Sequence, residues 1–236
     1  MMSDTYAETR DRLETYFDRT ASATWARLTS DAPVSFIRRT VREGRDRMRD
    51  TLLSGLPQDL TGARVLDAGC GAGQVAVALA ARGAEVVATD ISPSLLEVAQ
   101  KRTPADLERF IRYVPGDMLD TALGTFDYVV AMDSLIHYRP SDIARSLTHL
   151  AARTRSAIRF TIAPKTPLLS AMHLAGKAFP RSDRSPAIIP TSHTRLRRAL
   201  DGIAPKLDQR DRDWNLARVD RISSGFYISE AMEMRR

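Results

Sequence analysis

The 236-residue chain predicts a doubly wound α/β domain. Between residues 64 and 162, short apolar runs alternate with stretches of helical periodicity, the pattern of parallel strands joined by right-handed crossovers. The first run ends in the loop DAGCGAG, with three glycines within five residues. Near the end of the chain two strand-like runs follow one another with no helix between them. An antiparallel end to the sheet is therefore expected.

Residues 3 to 55 read as helical, with Tyr6, Leu13, Tyr16 and Phe17 near one face, and Phe36, Ile37 and Val41 repeating the spacing. GLPQDLTG (55 to 62) has the turn residues of a linker, which divides the chain into an N-terminal helical cap (1–55) and an α/β domain (56–236). RVLDAG is the first strand, and QVAVALAARG is a helix closed by Gly83. AEVVATD is the second strand. SPSLLEVAQKR is a helix capped by Ser92 with Pro93 at its first position. RFIRYVPGD and TFDYVVAMD are the next strands, PSDIARSLTHLAART a helix and SAIRFTIAP the fifth strand. Residues 163 to 191 are rich in proline, basic and small residues, and so long a connector is expected to be a lid. SHTRLRRALDGI is a helix, with KLDQRDRDWN and RISSGFYISEAMEM as the closing strands.

Net charge is +6, yet both signs interleave in RRTVREGRDRMRD (38–50) and LDQRDRDWNLARVDR (207–221). Such runs read as solvated faces rather than as a nucleic-acid surface. The single cysteine, Cys70, excludes a disulfide framework within the chain and suits a reducing cytoplasm. No apolar run approaches the roughly 18 residues of a spanning helix. The N-terminus has no basic start before an apolar block, so no secretory signal is expected.

The glycine loop carries the chemistry. Gly69, Gly71 and Gly73 allow a ligand to approach bare backbone where a Cβ would collide. Asp90, at the end of the second strand, is placed to accept both hydroxyls of a ribose. A dinucleotide would fit this much. Three details favour another ligand. Asp67 opens the loop with a negative charge that would repel a pyrophosphate and suits a cation. Asp117 in VPGDM is placed to accept from an adenine amino group. The spacing G-C-G-A-G is tighter than the dinucleotide G-x-G-x-x-G. The set Asp67, Gly69, Gly71, Gly73, Asp90 and Asp117 resembles the class I S-adenosylmethionine-dependent methyltransferases. That resemblance implies a seven-stranded, mostly parallel sheet with a reversed C-terminal hairpin, and S-adenosylmethionine as cofactor. Cys70, Ile91, Met118 and Asp133 would complete its site.

The methyl acceptor must be read elsewhere, because a fold hosts many functions. The position after the fourth strand reads AMDSLIHY and lacks the Pro-Pro pair of base methylation, so no nucleic-acid substrate is expected. TYFDRTASATWARL (15–28), MDSLIHY and FTIAPKTPLLS together resemble the magnesium-protoporphyrin IX O-methyltransferases of chlorophyll and bacteriochlorophyll synthesis. The resemblance implies esterification of one propionate of magnesium protoporphyrin IX. It makes His137 and Tyr16 the candidate catalytic residues, with Phe17, Trp25 and Tyr138 beside them. The lid would add a slot of Leu168, Leu169, Met172, Leu174 and Phe179, cations Lys165, Lys177 and Arg181, and His173 near the substrate's magnesium. No protein-bound metal is expected. Magnesium chelatase is the partner the resemblance suggests, with peripheral contact to the inner or photosynthetic membrane through the N-terminal segment. Methylation of a quinone-precursor phenol or another small acid is the alternative.

Overall fold

Strands buried on both faces need apolar residues at every position rather than at alternate ones. Val65 and Leu66, adjacent in the first strand, are both fully buried, and they face opposite sides. The computed structural model describes residues 4–21, 36–165, 187–203 and 214–236. Its sheet has seven strands in the order β3-β2-β1-β4-β5-β7-β6. They are β1 (Arg64–Ala68), β2 (Glu85–Asp90), β3 (Ile111–Pro115), β4 (Phe126–Ala131), β5 (Thr154–Ile162), β6 (Asn215–Ser224) and β7 (Tyr227–Arg235). The first five are parallel, while β7 runs antiparallel to both β5 and β6.

The described helices are α1 (Asp4–Thr15), α2 (Phe36–Ser54), α3 (Gln74–Ala80), α4 (Pro93–Arg102), α5 (Pro140–Ala151) and α6 (His193–Asp201). One core buries Leu66, Val129 and Phe160 against Ile143, Leu147 and Leu150 of α5 and Leu196 of α6. The other buries Val65, Val86 and Val130 against Met48 and Leu52 of α2 and Val75 and Leu79 of α3. The expected start of α4 holds: the Ser92 hydroxyl accepts from the Leu95 N–H, with Pro93 at the first position.

One expectation changes. RISSGFYISEAMEM is not a single closing strand: the turn at Gly225 and Phe226 splits it between β6 and β7, while β6 begins at Asn215 and residues 206–213 of KLDQRDRDWN lie outside the described residues. The turn is made by Gly225 in the left-handed region, φ 56°, at a Ser-Gly pair flanked on both sides by strand-forming residues. In the N-terminal cap α1 passes into a π-helical turn, Tyr16–Ala21, and residues 22–35 lie outside the described residues. Of the expected lid, residues 166–186 lie outside the described residues. Residues 187–190 have no regular secondary structure, and Pro164 bridges to Thr191.

The β6–β7 hairpin is seated directly on α2. A Cβ added at Gly44 would lie 2.6 Å from Cδ1 of the Tyr227 ring. Alanine in mid-helix gains about 1 kcal/mol in propensity, whereas overpacking typically costs about 1–3 kcal/mol. Gly44→Ala is therefore expected to destabilise the protein by up to about 2 kcal/mol in urea unfolding; a raised midpoint would contradict this close crossing.

Candidate functional site

In the order β3-β2-β1-β4-β5, the crossovers diverge between β1 and β4 and leave a cleft beyond the carboxyl ends of those strands. A cavity of about 270 Å³ lies there. Its lining includes the glycine loop after β1 (Gly69, Gly71), the end of β2 (Asp90, Ile91), the turn after β3 (Gly116, Asp117, Met118) and the segment after β4 (Asp133, Ser134, Ile136, His137, Tyr138).

The loop is built as its glycines suggest. All three have positive φ, but their surroundings differ. A Cβ on Gly69 would strike Ser134, and one on Gly73 would strike Tyr113 and Ala99, so these two serve close packing. A Cβ on Gly71 would meet nothing within 4 Å. That open space is where a ligand can lie against the backbone. Gly69 and Cys70 donate their N–H groups to the Thr89 carbonyl, which fastens the loop to β2.

The carboxylates differ in what they already hold. Asp90 accepts from the Gly71 N–H at 2.8 Å and the Ser92 N–H at 2.9 Å, while burial pushes its pKa up. Asp67 is 1% exposed, and its Oδ2 has no hydrogen-bond partner. Burial and the nearby Asp90 push its pKa up to about 8, against the opposing Ala76 N–H. It lines a small cavity on the far side of the loop with Arg45, Arg49, Cys70 and Gln74. A buried carboxylate oxygen without a partner suits a cation such as an ammonium. The residues present therefore fit S-adenosylmethionine: Asp67 for its amino group, Asp90 for its ribose and the Asp117–Met118 turn for its adenine.

Asp117 is also held by the N-terminal helix. Tyr6 donates its hydroxyl at 2.7 Å, Arg10 pairs at 3.2 Å, and the Leu119 N–H donates at 2.9 Å. The Tyr6 ring stacks on Tyr138 at 4.9 Å. Tyr6, Leu13 and Phe17 all line the cavity, and with Arg10 they fall at i, i+4, i+7 and i+11 of one helical face. Asp18, in the π-helical turn, accepts from the Ser94 N–H at 3.1 Å and so caps α4 beside Asp90. The cap thus covers the cofactor end of the cleft.

Asp133 closes the other end. It is the one non-glycine with positive φ among the described residues, at 56°. Its carboxylate accepts from Tyr227 at 3.1 and 3.2 Å and pairs with Arg45, and its own N–H donates to Thr161 at 2.7 Å. This clamp joins α2, β4, β5 and β7. His137 follows it. The Phe17 ring meets the imidazole edge-on at 6.0 Å, and burial pushes the His137 pKa down to about 4. Nδ1 is 3.4 Å from the Ala187 carbonyl, which can only accept. The hydrogen therefore belongs on Nδ1, and Nε2 is left available.

The predicted residues divide clearly. Asp90, Ile91, Asp117, Met118, Asp133, Phe17, His137 and Tyr138 share the large cavity with Gly69 and Gly71, while Asp67 and Cys70 line the small one. Gly73 serves packing. Tyr16 is half-buried and does not line the cavity; its ring meets the edge of Phe17 at 5.3 Å. Lys165 is exposed and likewise lines neither cavity. Trp25, Leu168, Leu169, Met172, His173, Leu174, Lys177, Phe179 and Arg181 lie outside the described residues. Tyr6, Arg10, Arg45 and Tyr227 were not anticipated. Arg45 was concealed in a mixed-sign run that reads as a solvated face, although Arg42, Arg45 and Arg49 recur at helical spacing.

Known proteins match this arrangement. A family model described as magnesium-protoporphyrin IX methyltransferase C-terminus matches residues 131–236, and a general methyltransferase-domain model matches 65–156. The chain is 56% identical to the magnesium-protoporphyrin O-methyltransferase of Rhodobacter capsulatus, over 99% of this chain and 100% of that one. It superposes on the crystal structure of magnesium protoporphyrin IX methyltransferase from Synechocystis PCC 6803 with bound SAH. That match has a TM-score of 0.79 and 28% identity, and covers 98% of this chain and 99% of that one. A ubiquinone biosynthesis O-methyltransferase from Methylocella silvestris is 37% identical, over 51% of each chain.

The state of Asp67 gives a test. Its raised pKa lets the folded protein keep a proton that the unfolded chain releases, so this group's contribution to stability falls as pH rises toward about 8. An ammonium against Oδ2 reverses that preference. Calorimetry of S-adenosylmethionine binding at pH 7, in two buffers of different ionisation enthalpy, should show release of up to one proton. Asp67→Asn should abolish the release. Heats that do not depend on the buffer would remove Asp67 from this role.

Proposed function

The chain belongs to the magnesium-protoporphyrin O-methyltransferase family, and from that premise we propose that it esterifies one propionate of magnesium protoporphyrin IX. The product is the monomethyl ester, a step of chlorophyll or bacteriochlorophyll synthesis. The observation that carries this reading is one continuous cavity that reaches from Asp90 and Asp117 to His137. When bound, S-adenosylmethionine supplies an electrophilic methyl group for in-line displacement by a carboxylate oxygen. A quinone-precursor phenol is less favoured, because the ubiquinone-pathway relative matches only half the chain.

The residues act chiefly by placement. Alignment of donor and acceptor can contribute roughly 7–11 kcal/mol in favourable cases. Asp90 and the glycine backbone fix one reactant, and Tyr6 and Leu13 of α1 with Phe17 of the turn after it help to keep water from it. Nε2 of His137 takes the proton of a propionic acid. If the carboxylate arrives ionised, the imidazole takes up one proton from the buffer as the complex forms and pairs with the carboxylate, whose negative charge offsets the effect of burial. In both cases His137 and the substrate carboxyl share one proton, which holds a carboxylate oxygen in the site. Tyr16 supports the imidazole through Phe17, ring edge to ring.

The test is one incubation of the protein with S-adenosylmethionine and magnesium protoporphyrin IX, read by mass spectrometry against metal-free protoporphyrin. Gain of a single methyl on the magnesium form is expected, and no transfer would overturn the assignment. His137→Ala should lower kcat by about a hundredfold, the low end of what a positioned proton-sharing group contributes. Tyr16→Phe keeps the ring and should retain activity. A large loss there would instead show that the hydroxyl touches the substrate.

Direct transfer from magnesium chelatase and peripheral membrane contact belong to the same proposal, supported by the poor solubility of the substrate. The described helices include none long and apolar enough to cross a membrane. Tyr6 and Leu13 are buried, so contact through α1 requires its release from Asp117. Sedimentation with phosphatidylglycerol vesicles should be lost on deleting residues 1–20; undiminished sedimentation would count against this segment.

A further inference from the structure

The reaction just described uses the inner part of the cavity and leaves its mouth unexplained. Four large apolar side chains are exposed among the described residues: Phe36, Ile188, Val219 and Phe226. Two of them, Phe226 at 56% and Ile188 at 39%, line the cavity that contains His137. They come from separate elements, the tip of the β6–β7 hairpin and the segment that follows the expected lid.

Both are rigidly presented. A Cβ on Gly225 would fall 2.3 Å from Oγ1 of Thr40, so the hairpin tip rests on α2 without clearance. Next to Phe226, Tyr227 is tied by its hydroxyl to Asp133. On the other element, the Ile189 N–H donates to the Ile136 carbonyl and the Thr191 N–H to the Ala163 carbonyl, both at 2.8 Å. Ala187, beside Ile188, faces Nδ1 of His137. Neither apolar side chain belongs to either core, so folding gains little from placing it there.

We infer that Phe226 and Ile188 form the apolar face on which the tetrapyrrole macrocycle lies while one propionate reaches His137. This rests on the acceptor proposed above and goes further, since it places substrate selection in the hairpin tip. A phenol or short acid could reach His137 without touching either residue. A flat macrocycle whose propionate enters the cavity must rest its ring near the mouth, and an aromatic ring there adds stacking to apolar burial.

The dissociation constant of magnesium protoporphyrin IX, read from its absorbance shift, and its KM would be measured for the wild type, Phe226→Ala, Phe226→Tyr and Ile188→Ser. S-adenosylmethionine affinity would be measured alongside. Phe226→Ala should raise both porphyrin constants about tenfold, a size expected for a lost ring contact, with cofactor affinity within twofold. Phe226→Tyr should restore tight binding. Porphyrin constants within twofold of wild type in both Phe226→Ala and Ile188→Ser, with wild-type turnover intact, would overturn this face alone. A wild type that neither binds nor methylates the porphyrin would overturn the acceptor and this face together. Should Phe226→Ala also lose cofactor affinity, Ile188→Ser decides the matter by the same measure.

Discussion

The divergence of the chain between β1 and β4 is the constraint on which the rest depends. Right-handed crossovers run one way through β2 and β3 and the other way through β5. Among the described residues no crossover helix therefore covers the carboxyl ends of β1 and β4, and the N-terminal cap lies over the cleft instead. Every strand-end residue with a polar task, Asp67, Asp90, Asp117 and Asp133, falls at that edge. The cleft follows from the connectivity, and the side chains decide what it can hold.

Four carboxylates gathered near one cleft would repel one another and resist burial, and the structure resolves each in a different way. Asp90 is held by backbone N–H groups, Asp117 by Tyr6 and Arg10, and Asp133 by Arg45 and Tyr227. Asp67 alone retains a buried oxygen with no partner. That contrast separates the groups that brace the site from the one that awaits a cation. The left-handed backbone at Asp133 costs of order 1–3 kcal/mol, which the three-sided clamp offsets.

The N-terminal cap and the C-terminal hairpin act on opposite ends of the same cavity. The cap reaches the cofactor end through Tyr6, Arg10 and Asp18. The hairpin reaches the acceptor end through Phe226 and Tyr227. Between them His137 sits against Phe17 on one side and Ala187 on another, held neutral by burial. On the reading proposed above, donor and acceptor are governed largely by different parts of the chain. On that reading, changes in the hairpin alter acceptor preference while the cofactor half stays as it is.

How much of this was legible in the chain depends on the range of each interaction. The parallel strands, the Ser92 cap and the glycine loop are local in their causes. Periodicity, capping chemistry and a Cβ's absence act within a few residues, and the sequence by itself determined them together with Asp67, Asp90 and Asp117. The split between β6 and β7 escaped although Ser224-Gly225 is a turn pair, because strand-forming residues stand on both sides of it, Ile222 before and Phe226 to Ile228 after. The pairing of Arg45 with Asp133 joins residues 88 apart, and that of Tyr6 with Asp117 joins residues 111 apart. No local pattern encodes such contacts. Arg45 within a run of both signs looks like any solvated arginine, and only the seating of α2 on the hairpin turns it inward. Tertiary structure alone decided which charges brace the cleft, that Phe17 rather than Tyr16 faces it, and that Phe226 stands at its mouth, because each depends on how separate elements cross in space.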